Sequence, residues 1–317
     1  MSEKPDETAT LDKAKRVDRI FKACATGAGI LILLTLAAVT LFLILRAFPA
    51  FTGDPDSRTQ AIRSLSGGRA SSFLGYVGPL VFGTILIAGL ALLLAFPVSL
   101  GIALFIGYYA PARLSTLLST VIDLLAAVPS VIYGLWGALV LVPNITGFWR
   151  WLSVHLGWIP LFSGPVAAPA RSVATVALVL AVMILPIITS VTRDILIQAP
   201  RLQQEAALAL GATKWEMIRL AVLPFGRSGI ISASMLGLGR ALGETMAVLM
   251  ILSPGFGYSL RLLQASTSQT IAANIAAQFP EADSQGVALL VATGLVLFII
   301  TFIVNYLARR ITAKAGA

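Results

Sequence analysis

The sequence predicts an all-α membrane protein with six transmembrane helices. Hydrophobic residues make up 57% of its 317 residues and charged residues only 12%, whereas soluble domains carry about 25% charged residues. Several uncharged runs reach about 20 residues, the length that a helix needs to cross a bilayer. The Lys and Arg residues are concentrated in alternate connecting segments, as expected of a chain that crosses a membrane repeatedly.

Residues 1–22 are polar and are predicted to form a cytosolic N-terminal tail before the first span. From Ala23 to Leu45 no charge interrupts 23 residues, enough for about 35 Å of helix. A cleaved signal peptide is the alternative, but its apolar region is about 7–15 residues long and ends in small residues. This run is longer and ends in Leu45-Arg46-Ala47-Phe48-Pro49. We therefore expect a retained span.

Five further apolar runs predict the other spans within a membrane domain over residues 23–308. The second runs from about Leu74 to Tyr108 and contains Pro79 and Pro97, which membrane helices tolerate when neighbours satisfy the freed backbone groups. The remaining spans are expected at 114–142, 172–192, 228–252 and 286–307, and the segments between spans at 48–73, 143–171, 193–227 and 253–285.

The positive charges predict which side of the membrane each segment faces. Fifteen Lys and Arg residues lie in the segments that share a side with the termini, and seven lie on the opposite side. Positive charge favours the cytoplasm. We therefore expect both termini, the 193–227 segment and a short tail at 309–317 to be cytosolic.

The cytosolic segment between the fourth and fifth spans is predicted to form two short helices with a defined corner. Pro200 suits the first helical position and Gly211 a left-handed stop. Thr213 and Glu216 have the spacing of a capping box that starts the second helix, and Pro224 is expected to end it. The apolar face of this helix comprises Trp215, Ile218 and Val222. The two helices either rest on the membrane surface or dock in a groove of a partner protein.

Two charged residues, Arg240 and Glu244, lie inside the fifth predicted span. A continuous helix places both on one face, about 6 Å apart in rise. Inserting one such residue into the membrane at a helix centre costs about 2.5–3.5 kcal/mol of free energy, and pairing with an opposite charge in the protein interior lowers that cost. The pair is either a structural link between helices or a site for a charged solute. The guanidinium donors suit phosphate, sulfate or a carboxylate.

A third ionisable residue, Asp123, is expected about 14 Å into the third span by helical rise. Its carboxylate is expected either to bond to backbone near Pro129 or to join the Arg240 network. Pro129 has no N–H for the carbonyl one turn earlier, which favours the first interpretation.

Glu205-Ala206-Ala207, then Gly211, then Leu223-Pro224 resemble the EAA motif of binding-protein-dependent ABC importer permeases; Ala221 stands where that pattern has Ile. The resemblance implies a type I ABC importer permease fold with a cytosolic coupling helix between spans 4 and 5. It also implies which residues receive the movement of an ATPase: Glu205, Ala206, Ala207, Gly211, Leu223 and Pro224. The chain has no G-x-x-x-x-G-K-[ST] phosphate loop, so ATP-Mg is expected in a partner subunit.

Three other stretches are similar to the phosphate-specific permeases of the Pst system, and they favour the PstC type over the PstA type. They are GRALGETMAV at 239–248, DLLAAVPSVIYGLWG at 123–137 and TIAANIA at 270–276. The similarity covers about 75–308, the expected permease core. It implies import of inorganic phosphate through the bacterial inner membrane, with Arg240 and Glu244 at the translocation site and Asp123 in support.

The resemblance also implies partners: a PstA-type permease, a PstB-type ATPase dimer, a PstS-type phosphate-binding protein outside the cytoplasm, and membrane lipid, without nucleic acid. No catalytic residue, metal or cofactor is expected in this chain. A permease for sulfate or molybdate is the main alternative. The EAA motif argues against an ion channel. One cysteine, one histidine and two membrane carboxylates are a poor basis for a membrane-embedded enzyme.

Overall fold

The computed structural model describes residues 7–52 and 54–315, with side chains over 16–52 and 54–310; the regular secondary structure of these ranges is helical, without a strand. The α-helices are α1 (Glu7–Ala47), α2 (Pro49–Thr52), α3 (Pro55–Ser66), α4 (Phe73–Leu104), α5 (Ala112–Ala126), α6 (Ser130–Trp136), α7 (Val142–Leu156), α8 (Val173–Leu196), α9 (Arg201–Ala209), α10 (Lys214–Met217), α11 (Leu223–Leu242), α12 (Met246–Ile251), α13 (Ile271–Gln278) and α14 (Ser284–Ala315). Residues 1–6 of the expected N-terminal tail and 316–317 of the C-terminal tail lie outside the described ranges. The described parts of both tails continue α1 and α14.

Six helical stretches of the described chain are long and apolar enough to cross a membrane, as predicted. They are Arg16–Thr52, Phe73–Tyr109, Ser130–Leu156, Val173–Leu196, Lys214–Leu242 and Ser284–Arg310. The central one is α8, because about two thirds of its apolar window is buried and no other stretch exceeds one third. It packs along α4 and α11, and its largest fully buried side chains are Leu180, Met183, Ile184, Ile188 and Leu196.

The predicted third span at 114–142 is wrong. Helix α5 stops at Ala126, and a new helix begins at Ser130 and continues through a π-helical turn at Gly137–Leu141 to Leu156. Pro129 explains the break, because it donates no N–H and disfavours helical geometry in the residue before it. At about 1.5 Å per residue, α5 is too short for a bilayer core of about 30 Å. Much of the predicted loop at 143–171 is therefore the second half of this span.

The predicted end of a helix at Pro224 is also wrong. Helix α10 passes through a π-helical turn at Ile218–Val222 into α11, so helical structure runs without interruption from Lys214 to Leu242. Pro224 cannot donate to the carbonyl one turn earlier, and a π turn shifts backbone pairing by one residue toward i+5. The wider turn thus carries the helix past the proline.

Helices α6 and α12 are in close contact at Gly134. A Cβ atom added there would lie 2.8 Å from the Cα of Ala247 and 3.2 Å from the Sδ of Met250. We expect Gly134→Ala to destabilise the protein by about 1–3 kcal/mol, because the backbone of α12 must move to admit the methyl group. Thermal unfolding of the purified protein measures this. Gly89→Ala is the control, since nothing lies within 4 Å of that position in its helix; equal unfolding temperatures for the two variants would contradict the prediction.

Candidate functional site

The fifth span is broken next to its charged residues, whereas the sequence predicted a continuous helix over 228–252. Helix α11 ends at Leu242 and α12 begins at Met246. The N–H of Gly243 donates to the carbonyl of Gly239 at 3.3 Å, and the N–H of Glu244 donates to that of Ala241 at 3.4 Å. The break brings the C-terminal end of one helix beside the N-terminal end of another. Such discontinuous membrane helices commonly form solute sites in transporters.

Glu244 caps the second of these helices. Its side chain is buried, with 6% of the residue exposed, and its Oε1 accepts a hydrogen bond of 3.0 Å from the N–H of Ala247. A carboxylate is stabilised at a helix N-terminus because the first N–H groups have no partner within the helix. Glu244 therefore holds the geometry of the break.

Arg240 does not form the expected pair with Glu244. Over the described side chains, no carboxylate lies within 4.0 Å of its guanidinium. The break explains this, because Glu244 turns toward the start of α12 instead of continuing the face of α11. Arg240 lines a largely apolar groove of about 910 Å3 between α1, α11 and α14. The other lining residues of this groove include Ser232, Asn305 and Arg309.

Asp123 takes neither of the two positions expected for it. Its Oδ1 accepts a hydrogen bond of 2.7 Å from the Oγ of Ser190, and its Oδ2 lies 3.7 Å from the Nη2 of Arg193. Because α5 is a separate helix packed on α8, Asp123 faces α8 rather than Pro129 or Arg240. Half of its side chain is exposed, so the ion pair contributes about 0–1 kcal/mol. The sequence indicated Arg193 only as a cytosolic charge, since no local pattern links residues 70 positions apart.

The predicted corner between the two short helices is confirmed. Gly211 has φ +86°, the left-handed conformation expected of a helix stop. Thr213 and Glu216 form the capping box: the Thr213 N–H donates to Oε2 of Glu216 at 2.7 Å, and the Glu216 N–H donates to Oγ1 of Thr213 at 3.3 Å. Pro200 is the residue before α9 rather than its first residue.

One side of this corner is exposed and the other is anchored. No residue of α9 is buried, Glu205 is exposed, and Leu202 and Leu210 are 78% and 90% exposed. Of the predicted apolar face of the second helix, Ile218 and Val222 are buried within this chain, whereas Trp215 is 53% exposed. A buried cluster joins the corner to the ends of α4, α8 and α11: Ala103, Leu104, Leu196, Ala199, Met217, Ile218, Val222 and Ile230.

The corner is thus connected by uninterrupted helix to the end of α11, where the fifth span is broken. Arg240 lies 26 positions after Lys214 in this continuous helix, which corresponds to about 39 Å at about 1.5 Å per residue. A force applied at the exposed α9 surface would be transmitted through one helix to the end of α11.

The protein matches known membrane transport components. Residues 99–313 match the family described as "Binding-protein-dependent transport system inner membrane component". The chain is 44% identical to the "Phosphate transport system permease protein PstC 2" of Mycobacterium tuberculosis, over 94% of this chain and 92% of the relative. It is 38% identical to PstC of Xylella fastidiosa strain Temecula1, over 98% of each chain.

Two solved structures share the fold. A bacterial ABC transporter involved in the import of alginate superposes with a TM-score of 0.57 at 18% identity, covering 96% of this chain and 99% of that one. The inward-facing MetNI methionine ABC transporter superposes with a TM-score of 0.53 at 15% identity, covering 75% of this chain and 96% of that one. These similarities confirm the predicted ABC importer permease fold.

Proposed function

The chain belongs to the family of binding-protein-dependent transport system inner membrane components, and from that membership we propose that it is the permease subunit of an ATP-driven importer of inorganic phosphate. The observation that carries this proposal is 38–44% identity to phosphate transport system permeases over 94–98% of the chain. As a permease subunit it is not an enzyme. It works with a separate ATPase and with further subunits.

Arg240 binds the anion at the break in the fifth span. Its guanidinium presents a planar set of donors that suits two oxygens of a tetrahedral anion, and no carboxylate of the described chain competes for it within 4.0 Å. Glu244 fixes the end of α12 through one oxygen. Its other oxygen has no hydrogen-bond partner among the described residues and accepts a hydrogen bond from a P–OH group of the phosphate. Asp123, which binds Ser190 and Arg193, supports the site only indirectly by joining α5 to α8.

Coupling to ATP takes place at the exposed corner formed by α9 and the start of the fifth span. Binding of ATP-Mg in the partner ATPase moves the surface that carries Glu205, Ala206 and Ala207. Gly211 fixes the angle between the two helices, and Leu223 and Pro224 lie where the π turn enters α11. The movement is passed along the continuous helix to Arg240, which is exposed first to one side of the membrane and then to the other.

The complex lies in the bacterial inner membrane with both termini of this chain in the cytoplasm. The excess of Lys and Arg on the terminal side, fifteen against seven, supports this orientation. The other components are a PstA-type permease, two PstB-type ATPase subunits and a PstS-type phosphate-binding protein outside the cytoplasm. This assignment rests on the relatives named as PstC.

Uptake in cells that lack other phosphate transporters tests the proposed solute. Cells producing this chain with its partner subunits are expected to accumulate radiolabelled phosphate but neither sulfate nor molybdate. Omitting this chain alone should remove that uptake. Accumulation of sulfate or molybdate in preference to phosphate would assign the permease to another oxyanion.

A further inference from the structure

A cavity separate from the groove that Arg240 lines is formed by segments expected to lie on the extracytoplasmic side of the protein. It has a volume of about 200 Å3 and lies between α12 and α13. Arg171 is its one charged lining residue and Gln269 its one polar uncharged residue; the other lining side chains are apolar. Over the described side chains, no carboxylate lies within 4.0 Å of the Arg171 guanidinium. The cavity therefore carries positive charge that the protein does not neutralise locally.

A buried hydrogen-bond chain fixes which end of Gln269 is free. The hydroxyl of Tyr76 donates to Oδ1 of Asn274 at 2.5 Å, and Nδ2 of Asn274 donates to Oε1 of Gln269 at 3.4 Å. In this arrangement Oδ1 of Asn274 accepts from Tyr76 and its amide nitrogen faces Gln269, which presents its oxygen to Asn274. The Nε2 donor of Gln269 has no hydrogen-bond partner among the described residues.

The backbone around Gln269 is held in place by α4. A Cβ atom added at Gly83 would lie 2.3 Å from the carbonyl oxygen of Gln269, so the two segments are in direct contact. Two residues further, the N–H of Ile271 donates to Oγ1 of Thr84 at 3.0 Å. Gln269 is only 5% exposed. The Gln269 side chain is thus held in a fixed position at the cavity that Arg171 also lines.

We propose that Arg171 and Gln269 form an anion subsite that receives inorganic phosphate before it reaches Arg240. Both side chains offer only donors to the cavity, so the site selects an anion over a cation or a neutral solute. The cavity is close to the break in the fifth span, because Val248 lines it and lies four residues after Glu244. This subsite rests on the proposed function, since it names a second contact of the same solute.

The ratio of phosphate transported to ATP hydrolysed tests this subsite. The complete complex is reconstituted in proteoliposomes with saturating phosphate-loaded binding protein, and both rates are measured. We expect Arg171→Gln to lower the ratio about tenfold, because it removes a charged hydrogen bond to the anion. Gln269→Glu should lower it comparably, since it replaces the free donor by an anion of the same shape.

Arg261→Gln is the matched control, because Arg261 is exposed in the neighbouring segment and does not line the cavity. It removes the same charge from the same face and should change the ratio by less than about twofold. A parallel loss of transport and ATP hydrolysis in Arg171→Gln, or an equal effect of Arg261→Gln, would overturn the subsite. Arg171 is itself exposed, so its variant is expected to fold. If the wild-type complex moved no phosphate, the proposed function itself would fail.

Discussion

Replacing Arg240 by Gln is expected to abolish phosphate uptake while leaving the complex assembled. Gln keeps much of the side-chain volume but removes the charge and the planar pair of donors. Each charged hydrogen bond contributes about 1.5–3 kcal/mol, so losing two lowers anion binding by about 100-fold or more. Assembly should survive, because the Arg240 guanidinium has no ion pair with a described carboxylate that the substitution could break. Initial rates of radiolabelled phosphate uptake measure the effect.

Arg227→Gln provides the control for this prediction. Arg227 is exposed and lies on the same helix, α11, close to its start. Its loss should leave uptake within about twofold of wild type, as expected for a surface charge. Co-purification of the partner subunits with each variant reports assembly. Normal uptake by Arg240→Gln in an assembled complex would remove Arg240 from the translocation site.

Replacing Gly211 by Pro is expected either to uncouple ATP hydrolysis from phosphate transport or to prevent the ATPase from binding. Gly211 has φ +86° and donates its N–H to the carbonyl of Leu208 at 3.0 Å. Proline fixes φ near about −65° and has no N–H, so the corner between α9 and α10 cannot keep its angle. The α9 surface would then meet the ATPase in the wrong orientation. The measurement is phosphate transport together with ATPase activity in the reconstituted complex.

Gly211→Asn is the control for the corner. Asparagine adopts the left-handed conformation more readily than other non-glycine residues and keeps the N–H. No atom lies within 4 Å of a Cβ added at this position, so the new side chain has space. Asn should therefore retain most coupling. If Gly211→Pro coupled as well as wild type, residues 203–224 would be only a surface loop.

Features with local signals could be predicted from the sequence. The left-handed stop at Gly211 and the capping box of Thr213 and Glu216 depend on residues within four positions of one another, and both are confirmed. The number of membrane-spanning stretches could also be predicted from the sequence, because the length and charge of an apolar run determine whether a helix can cross a bilayer. These features need no knowledge of the tertiary packing.

Helix boundaries were harder to predict from the sequence, as the two prolines show. Pro129 separates α5 from α6, whereas Pro224 is passed by a π turn within a continuous helix. Proline removes the same N–H in both places, and the surrounding packing decides between a break and a wider turn. At Gly243 the sequence predicted a continuous helix, because this glycine lies inside an apolar run. In the structure α11 ends there.

The side-chain partners within the candidate site were the hardest features to predict from the sequence. Asp123 meets Ser190 and Arg193 across 67 and 70 positions, and Tyr76 meets Asn274 across 198. Such contacts depend on how helices pack, which composition and periodicity do not encode. The residues alone also left phosphate, sulfate and carboxylate open. Resemblance to a family distinguished them, and the relatives named PstC agree with it.

The dependence of phosphate accumulation on ATP tests the central claim most directly. The reconstituted complex, with phosphate-loaded binding protein on its outer side, should accumulate phosphate only while the ATPase hydrolyses ATP on the other side. Excess sulfate should not reduce that accumulation. Phosphate that equilibrates across the membrane without ATP would indicate a channel, and would contradict the assignment of this chain as the permease of an ATP-driven phosphate importer.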